Sequence, residues 1–208
     1  SEPLVWFEYV RDTAALVREA GLVNVVVSNG YLEPEPLSEL IPLLDAANVD
    51  LKSMDERFYR EICRGHLQPV LDTMAALHAG GVHLEITNLV IPGHNDSDEQ
   101  LDRLRDHVAD LSPEVPLHLS AYHPAWCFDA PPTPPATLDR AARRCAERLH
   151  FVYAGNVHLD GWHDTACPDC GTVVIARRGW TTVCDLTEPR CPHCGRAQPS
   201  DHPLVHPV

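Results

Sequence analysis

Lysine is nearly absent from this sequence, which contains fifteen arginines and one lysine, Lys52. A planar guanidinium and a compact ammonium bind different partners, so a lone lysine is a candidate for a role that arginine does not fill. Survival of one lysine by chance at a solvated position explains the composition equally well. Composition therefore marks Lys52 for attention but assigns it no role.

The sequence also has no excess of basic charge and no long apolar run. The formal net charge is −14, and an acidic surface repels phosphate backbones, so we expect no nucleic-acid partner. No apolar run approaches the roughly 20 residues that cross a bilayer. No basic-then-apolar leader opens the sequence. We therefore expect a cytoplasmic protein without a membrane partner.

The pattern of apolar residues predicts an α/β protein. Helix-like stretches alternate with short apolar runs, which is typical of a parallel sheet with right-handed crossovers. The runs are continuous, as expected for strands that are buried on both faces. The pattern does not separate a barrel from a doubly wound sheet, although the sequence has no Gly-rich phosphate loop. The predicted strands are Val23–Val27, Asn48–Leu51, His83–Ile91, Leu117–Tyr122 and His150–Tyr153.

Two polar pairs predict helix starts. Ser53 with Glu56, and Ser97 with Gln100, each have the spacing of a capping box. Each pair would satisfy backbone N–H groups that the first turn of a helix leaves without partners.

Polar side chains follow the predicted strands, and sites in parallel α/β proteins form at the carboxyl ends of strands. Asp50 and Lys52 are two apart on a strand, so they point to the same face and could hold a zwitterion such as an amino acid. A structural salt bridge is the alternative. His123 would contact a ligand or be a satisfied histidine at a strand end. The other residues in this group are Ser28, Asn29, His94, Asn95, Tyr122, Asn156 and His158.

Several short motifs occur in the order found in radical SAM activating enzymes. Together they are fairly specific, whereas any one alone is not. The sequence resembles relatives of pyruvate formate-lyase activating enzyme over nearly its whole length. It most resembles the radical SAM proteins of the AmmeMemoRadiSam system, which end in a similar cysteine ribbon. The motifs are Glu2-Pro3, Ser28-Asn29-Gly30-Tyr31, Val49-Asp50-Leu51-Lys52, Val90-Ile91-Pro92-Gly93 and Ala121-Tyr122-His123-Pro124.

The resemblance implies a partial parallel (β/α) barrel that binds S-adenosylmethionine (SAM). A [4Fe–4S] cluster would give one electron to the sulfonium, and a 5′-deoxyadenosyl radical would abstract hydrogen from a protein or small-molecule substrate. That substrate is unknown, and glycyl-radical activation is one possibility. Flavodoxin or ferredoxin would be the electron donor. The cofactor-binding residues would be Glu2, Ser28, Asn29, Asp50, Leu51, Lys52 and His123, with His123 near the adenosine part.

One departure from the family pattern concerns the cluster. The family's CxxxCxxC run does not occur in this sequence, so no catalytic residue is identified. We expect a C-terminal piece of a longer enzyme that lacks the first barrel strands and is inactive alone. Cys63 and Cys145 fall in predicted helices, where small core residues are expected. The isolated cysteines are Cys63, Cys127, Cys145 and Cys184.

A four-cysteine pattern closes the sequence. Cys167 and Cys170 form one CxxC turn, Cys191 and Cys194 form a second, and a glycine follows each turn. Two such turns complete a tetrahedral zinc site, although iron binds the same ligands. We predict a partial barrel over residues 1–160, a structural zinc ribbon over 164–197 and a flexible tail over 198–208.

Two other functions fit parts of the sequence. Lys52 on a barrel would also suit a Schiff-base nucleophile, as in aldolases. A third hypothesis is not enzymatic, and makes the ribbon a protein-docking module with the barrel as its scaffold.

Overall fold

Five parallel strands form the main sheet of a computed structural model that describes residues 2–126, 128–179, 181–186 and 190–197. The strand order in the sheet is the order along the chain. This is the winding of a (β/α) barrel, since a doubly wound sheet reverses its order at a switch point. The predicted partial barrel is confirmed. The strands are β1 (Val25–Ser28), β2 (Ala46–Asp50), β3 (His83–Val90), β4 (Leu117–Ala121) and β5 (Val152–Gly155).

Helices precede the sheet and connect its strands. A 3₁₀ turn, Pro3–Trp6, leads into the first helix, and a second 3₁₀ turn, Ile41–Leu43, precedes β2. A short helix continues into a π-helical turn, Tyr59–Cys63, which ends at Arg64 in the left-handed region with φ of 60°. The helices are α1 (Phe7–Glu19), α2 (Pro34–Leu40), α3 (Glu56–Phe58), α4 (Leu67–Ala79), α5 (Asp98–Leu111) and α6 (Pro135–Cys145).

The two faces of the sheet differ in character. One face carries buried side chains such as Leu84, Ile86 and Leu117, which pack with helix residues such as Leu101 and Leu138 in one core. The other face, called the interior face below, carries half-buried polar side chains. The expectation that both faces are buried is therefore wrong. The polar residues of the interior face include Asn48, Asp50, Glu85, Thr87, His118 and Ser120.

Helices α5 and α6 are joined by a ladder of ion pairs. Acidic residues recur every four positions on α5, and arginines recur at the same spacing from α6 onward, so both rows lie along facing sides. Arg148, for example, contacts Asp106 at 2.9 Å and Asp110 at 3.0 Å. Three of the sixteen cationic residues belong to this ladder. The ladder comprises Asp98, Asp102, Asp106 and Asp110 with Arg140, Arg144 and Arg148.

One of the two predicted helix caps is wrong. Ser97 does cap α5, accepting from the Gln100 N–H at 3.3 Å. Helix α3, however, is capped by Asp55, whose side chain accepts from the Arg57 N–H at 2.8 Å. Ser53 lies two residues before this cap, and its hydroxyl accepts from the Asp55 N–H instead. Glu56 instead accepts from the Leu67 N–H at 2.9 Å and so joins α3 to α4.

The C-terminal residues form a separate antiparallel ribbon of β6 (Thr165–Ala166), β7 (Val173–Arg178) and β8 (Thr181–Cys184). The ribbon strands β7 and β8 lie between the two cysteine turns. The predicted flexible tail, 198–208, lies outside the described residues, as does Cys127. Among the described residues, no helix is long and apolar enough to cross a membrane.

Candidate functional site

Glu2 fastens the start of the chain to the carboxyl end of β1. Its Oε1 atom accepts from the Ser28 hydroxyl at 2.8 Å and from the Leu4 N–H at 3.1 Å. Its Oε2 atom accepts from the Asn29 N–H at 2.7 Å. A carboxylate oxygen has two acceptor sites, so Oε2 has capacity for one further donor. The resemblance implied that Glu2, Ser28 and Asn29 bind the same cofactor, and the structure brings these three residues together.

Gly30 allows the chain to turn closely over β2. Its φ is +71°, and a Cβ atom built there would lie 2.6 Å from Cγ1 of Val49. The Ser28 hydroxyl accepts from the Gly30 N–H, and the Asn29 amide oxygen accepts from the Tyr31 N–H at 2.8 Å. The turn is fixed by its own side chains, and only glycine fits its centre.

Asp50 and Lys52 lie on the same face, as their spacing predicted, and contact each other. Lys52 Nζ lies 2.9 Å from Asp50 Oδ2, and the two side chains are 36% and 39% exposed, Asp50 being the less exposed. Both charges are therefore accessible from solvent at the carboxyl edge of the sheet. The contact alone is equally compatible with a ligand site and with a structural salt bridge.

The backbone around Lys52 is held by buried side chains from other parts of the sequence. The Asn95 amide donates to the Lys52 carbonyl at 2.7 Å and to the Leu89 carbonyl at 2.8 Å. Its oxygen accepts from the Ile91 N–H at 2.7 Å. The Lys52 N–H donates to the hydroxyl of Tyr59, whose pKa is raised by burial. The backbone that carries the Lys52 ammonium is therefore held in place by hydrogen bonds.

Leu51 and His123 lie at the same edge in different settings. The Leu51 side chain is fully buried, its N–H donates to the Thr87 carbonyl, and its own carbonyl accepts from the Asn88 amide at 2.6 Å. Any contribution to a ligand is thus positional. His123 is exposed beyond β4, with Nε2 3.2 Å from the Asn156 carbonyl. The roles predicted for both residues stay predictions.

A cavity of about 660 Å³ opens beside Lys52. It lies between the β1 turn, the end of β2 and the π-helical turn. Its size is in the range of small-molecule sites. Among its lining residues are Glu2, Asn29, Tyr31, Lys52, Cys63 and Arg64.

Cys63 and Cys145 were both predicted to be small core residues in helices, and only Cys145 is fully buried. Cys145 is fully buried in α6, and burial raises its pKa to about 12, so its thiol remains protonated. Cys63 is half-buried at the end of the π-helical turn, where burial also raises its pKa.

The four ribbon cysteines converge on one point. All four Sγ atoms lie within 4.8 Å of one another, and the Cys167–Cys194 and Cys170–Cys191 separations are both 3.6 Å. A disulfide joins its sulfur atoms at about 2.0 Å, so these thiols are not paired covalently. A tetrahedron with metal–sulfur bonds of about 2.3 Å has edges of about 3.8 Å, close to what is seen. The donor set and its geometry fit a single metal ion.

The two CxxC turns have the same hydrogen bonds. The Cys167 carbonyl accepts from the Gly171 N–H at 2.8 Å, and the Cys191 carbonyl accepts from the Gly195 N–H at 2.9 Å. Both glycines have positive φ, 71° and 77°. The Thr172 hydroxyl and backbone lower the pKa of Cys170 to about 6, which favours the thiolate that binds metals.

Sequence analysis missed a carboxylate–imidazole contact on the interior face. Glu85 Oε2 lies 2.7 Å from Nε2 of His118, and its Oε1 lies 3.3 Å from Nε2 of His83. The available signal was the alternation of polar residues at His83, Glu85 and Thr87 on a predicted strand. The alternation was missed because the segment was interpreted as one continuous buried apolar run.

Comparison with known proteins gives the family. The sequence model of the Radical SAM superfamily matches residues 1–105. Uncharacterized protein MJ0808 of Methanocaldococcus jannaschii is 39% identical over 201 residues, which are 94% of this chain and 60% of that protein. Pyruvate formate-lyase 1-activating enzyme of Escherichia coli K12 is 25% identical over 124 residues, 59% of this chain and 50% of that enzyme. The chain thus spans 50–60% of the length of these relatives.

A solved structure shares the fold. A domain of pyruvate-formate lyase-activating enzyme from Bacteroides vulgatus superimposes with a TM-score of 0.64 and 19% identity, over 75% of this chain and 95% of that domain. The superfamily match extends over 105 of the 208 residues and includes the predicted residues from Glu2 to Lys52. With a parallel sheet wound as a barrel and a family match over half its length, this chain belongs to the Radical SAM superfamily.

Proposed function

We propose that this chain forms the SAM-binding part of a radical SAM enzyme. The observation that carries the proposal is the cavity of about 660 Å³ at the carboxyl edge of the barrel sheet, which Lys52, the partner of Asp50, lines together with Glu2 and Asn29. The methionine part of SAM carries an ammonium and a carboxylate, which the opposite charges of Asp50 and Lys52 complement. The residues proposed to hold the cofactor are Glu2, Ser28, Asn29, Asp50, Leu51, Lys52 and His123.

The remaining groups fit the same ligand. Glu2 Oε2 retains one acceptor site for an ammonium, and the Ser28–Asn29 turn that it fixes lies on the strand beside Asp50. Neighbouring strands are about 4.8 Å apart, so the ends of β2 and β4 are separated by about 10 Å. A nucleoside cofactor can span that distance from Lys52 to His123.

The reaction needs a cluster as well as SAM. SAM held by these residues, together with a reduced [4Fe–4S] cluster, would supply the radical chemistry that takes hydrogen from a substrate. Because the sequence has no CxxxCxxC run, we propose that the cluster thiolates come from outside these 208 residues. The chain by itself would then bind SAM without performing radical chemistry. The substrate, and an electron donor such as flavodoxin or ferredoxin, belong to the same proposal.

The ribbon is proposed to hold zinc in a structural role. Four thiolates close the coordination shell and leave no position for a substrate. Iron would fit the same four ligands, so metal analysis decides between them.

Calorimetric titration with SAM tests the proposed cofactor site. The wild-type chain should bind SAM, and Lys52→Met and Asp50→Asn should each weaken binding by about 10- to 100-fold, because each removes a charge-assisted contact. Arg103→Met is the matched control, since it removes an exposed cation on the outer helix α5. Absence of SAM binding by the wild type, or equal losses in the control, would contradict the proposal.

The two alternative functions gain no support from these observations. A Schiff-base role for Lys52 and a docking role for the ribbon each remain compatible with single residues. Neither explains the family match or the cavity that Glu2, Asn29 and Lys52 line together.

A further inference from the structure

The interior face carries a second group of ionisable side chains, apart from the proposed cofactor residues. It is centred on Glu85 of β3 and His118 of β4, whose Oε2 and Nε2 atoms are 2.7 Å apart. The side chain of His118 is 33% exposed and that of Glu85 is 35% exposed. Both point away from the helix layer, so no packing requirement of the core explains a carboxylate–imidazole pair at this position.

The protonation state of the pair follows from chemistry. Hydrogen bonds from His118, and then from His83, hold the pKa of Glu85 well below its ordinary value. An ionised carboxylate only accepts hydrogen bonds, so Nε2 of His118 carries a hydrogen and donates it. In the neutral imidazole, Nδ1 is then the nitrogen that can accept a proton. A carboxylate that fixes the tautomer of a histidine is the arrangement used to orient catalytic bases.

The ring of His118 is also fixed in orientation. It stacks on the ring of Tyr153, with centroids 5.2 Å apart and planes at 26°. The Tyr153 hydroxyl lies 2.8 Å from the hydroxyl of Thr165, and the guanidinium of Arg177 lies over the Tyr153 ring at 5.4 Å. Arg177 also donates to Thr165 at 2.9 Å. Thr165 and Arg177 belong to the metal ribbon, so the ribbon supplies part of this group.

Glu85 lies on the strand next to that of Asp50 and His118 lies two strands away from it, all on the same face of the sheet. Asp50, Thr87 and His118 are direct register partners on three neighbouring strands. At about 4.8 Å per strand, the backbones at Asp50 and His118 are about 10 Å apart on one face. A small molecule placed between them would contact both the cofactor and the imidazole.

We infer that Glu85 and His118 form a proton-accepting site for the substrate, held in place by Tyr153 and by Arg177 of the ribbon. The substrate class is a molecule with an O–H or N–H group near the carbon that loses hydrogen. The proton passes from that group to Nδ1 of His118, the bonding electron pair stays on the substrate oxygen or nitrogen, and Glu85 remains ionised. The inference rests on the proposed function.

The test compares metal-loaded wild type with Glu85→Gln and Arg177→Ala. Nitrogen-15 NMR of the imidazoles should show His118 as the Nε2–H tautomer in the wild type and as a tautomer mixture in Glu85→Gln. In Arg177→Ala the His118 signals should broaden, because the Tyr153 ring that orients the imidazole is less firmly held. Diethyl pyrocarbonate, which modifies basic imidazole nitrogens, should modify His118 readily in the wild type and more slowly in Glu85→Gln. Peptide mass spectrometry separates His118 from the other histidines.

Two controls match the variants. His66 and Glu56 form an imidazole–carboxylate pair with the same 2.7 Å contact, outside the interior face and without a ribbon partner among the described contacts, so Glu56→Gln should leave His118 unchanged. Arg178→Ala removes an exposed ribbon arginine next to Arg177 and should also have no effect. A wild-type His118 that resists the reagent, or has the Nδ1–H tautomer, overturns the inference. An unchanged His118 in Arg177→Ala overturns the role of the ribbon.

Titration with SAM separates this inference from the proposed function. Glu85→Gln should bind SAM as tightly as the wild type, because Glu85 is hydrogen-bonded to His118 and His83 and lies outside the Asp50–Lys52 pair. If the wild type does not bind SAM, the proposed function is contradicted. If the wild type binds SAM but His118 does not react with the reagent, only this inference is contradicted.

Discussion

Asn95 is the residue on which the position of Lys52 depends most directly, and Asn95→Ala tests that dependence. The side chain is 3% exposed and makes three hydrogen bonds of 2.7–2.8 Å, to the Lys52 carbonyl, the Leu89 carbonyl and the Ile91 N–H. Truncation removes the partners of the buried Ile91 N–H and the Lys52 carbonyl. Each unsatisfied buried group costs about 1–3 kcal/mol, so leaving these two without partners should lower the free energy of unfolding by about 2–6 kcal/mol.

Urea unfolding of the metal-loaded chain measures that loss through the midpoint at constant slope. The same variant should also weaken SAM binding, because the backbone that carries Lys52 is no longer tied to the β3–α5 loop. A loss of stability below about 1 kcal/mol would refute the account of Asn95 as a buried, fully bonded amide.

Asn24→Ala is the matched control for the effect on binding. The Asn24 amide donates to the Ala14 carbonyl at 2.8 Å and the Leu43 carbonyl at 3.0 Å, on the opposite edge of β1 and β2. Its removal should also destabilise the fold but leave SAM affinity unchanged. If both variants weakened SAM binding equally, the effect would be one of stability and not of the position of Lys52.

The other predictions concern backbone, charge and metal. Gly30→Ala should lower the free energy of unfolding more than Gly81→Ala. Both positions have positive φ, which costs an alanine about 1–2 kcal/mol, but only at Gly30 would the added Cβ also meet Val49. Equal losses in urea unfolding would contradict the close approach of Gly30 to Val49. Hydrogen bonds from Arg105, and then from Arg148, lower the pKa of Asp106 from 3.8 to about 2, so its stabilisation is complete well above pH 3.8 and is lost as the pH falls toward 2. The difference in urea midpoint between the wild type and Asp106→Asn should therefore shrink over that interval, and a constant difference would count against the ladder. Metal analysis should give about one ion per chain, and chelation should expose ribbon residues to protease while the barrel resists digestion; a ribbon that stays resistant without metal would refute the four-thiolate site.

Local chemistry in the sequence determined the kinds of elements and the metal ligands. Three features depend only on neighbours within a few positions. They are the alternation of helical and strand patterns, the spacing within each CxxC turn, and the shared face of Asp50 and Lys52. Strand ends shifted by about two residues, as at β5, because the ends of strands are set by pairing. The Ser53 cap was wrong because a serine two residues before the true cap, Asp55, offers a similar local signal.

The tertiary structure decided what depends on distant segments. The winding of the sheet as a barrel could not be read from the pattern, since either winding has the same alternation of elements. Glu85 and His118 are 33 positions apart and meet only through the register of β3 on β4. The amide of Asn95 reaches the Lys52 carbonyl 43 positions away for the same reason. The face to which a strand side chain points follows from its odd or even position along that strand. Its partner on the next strand depends on the register between the two strands, and the sequence of one strand alone does not specify that register.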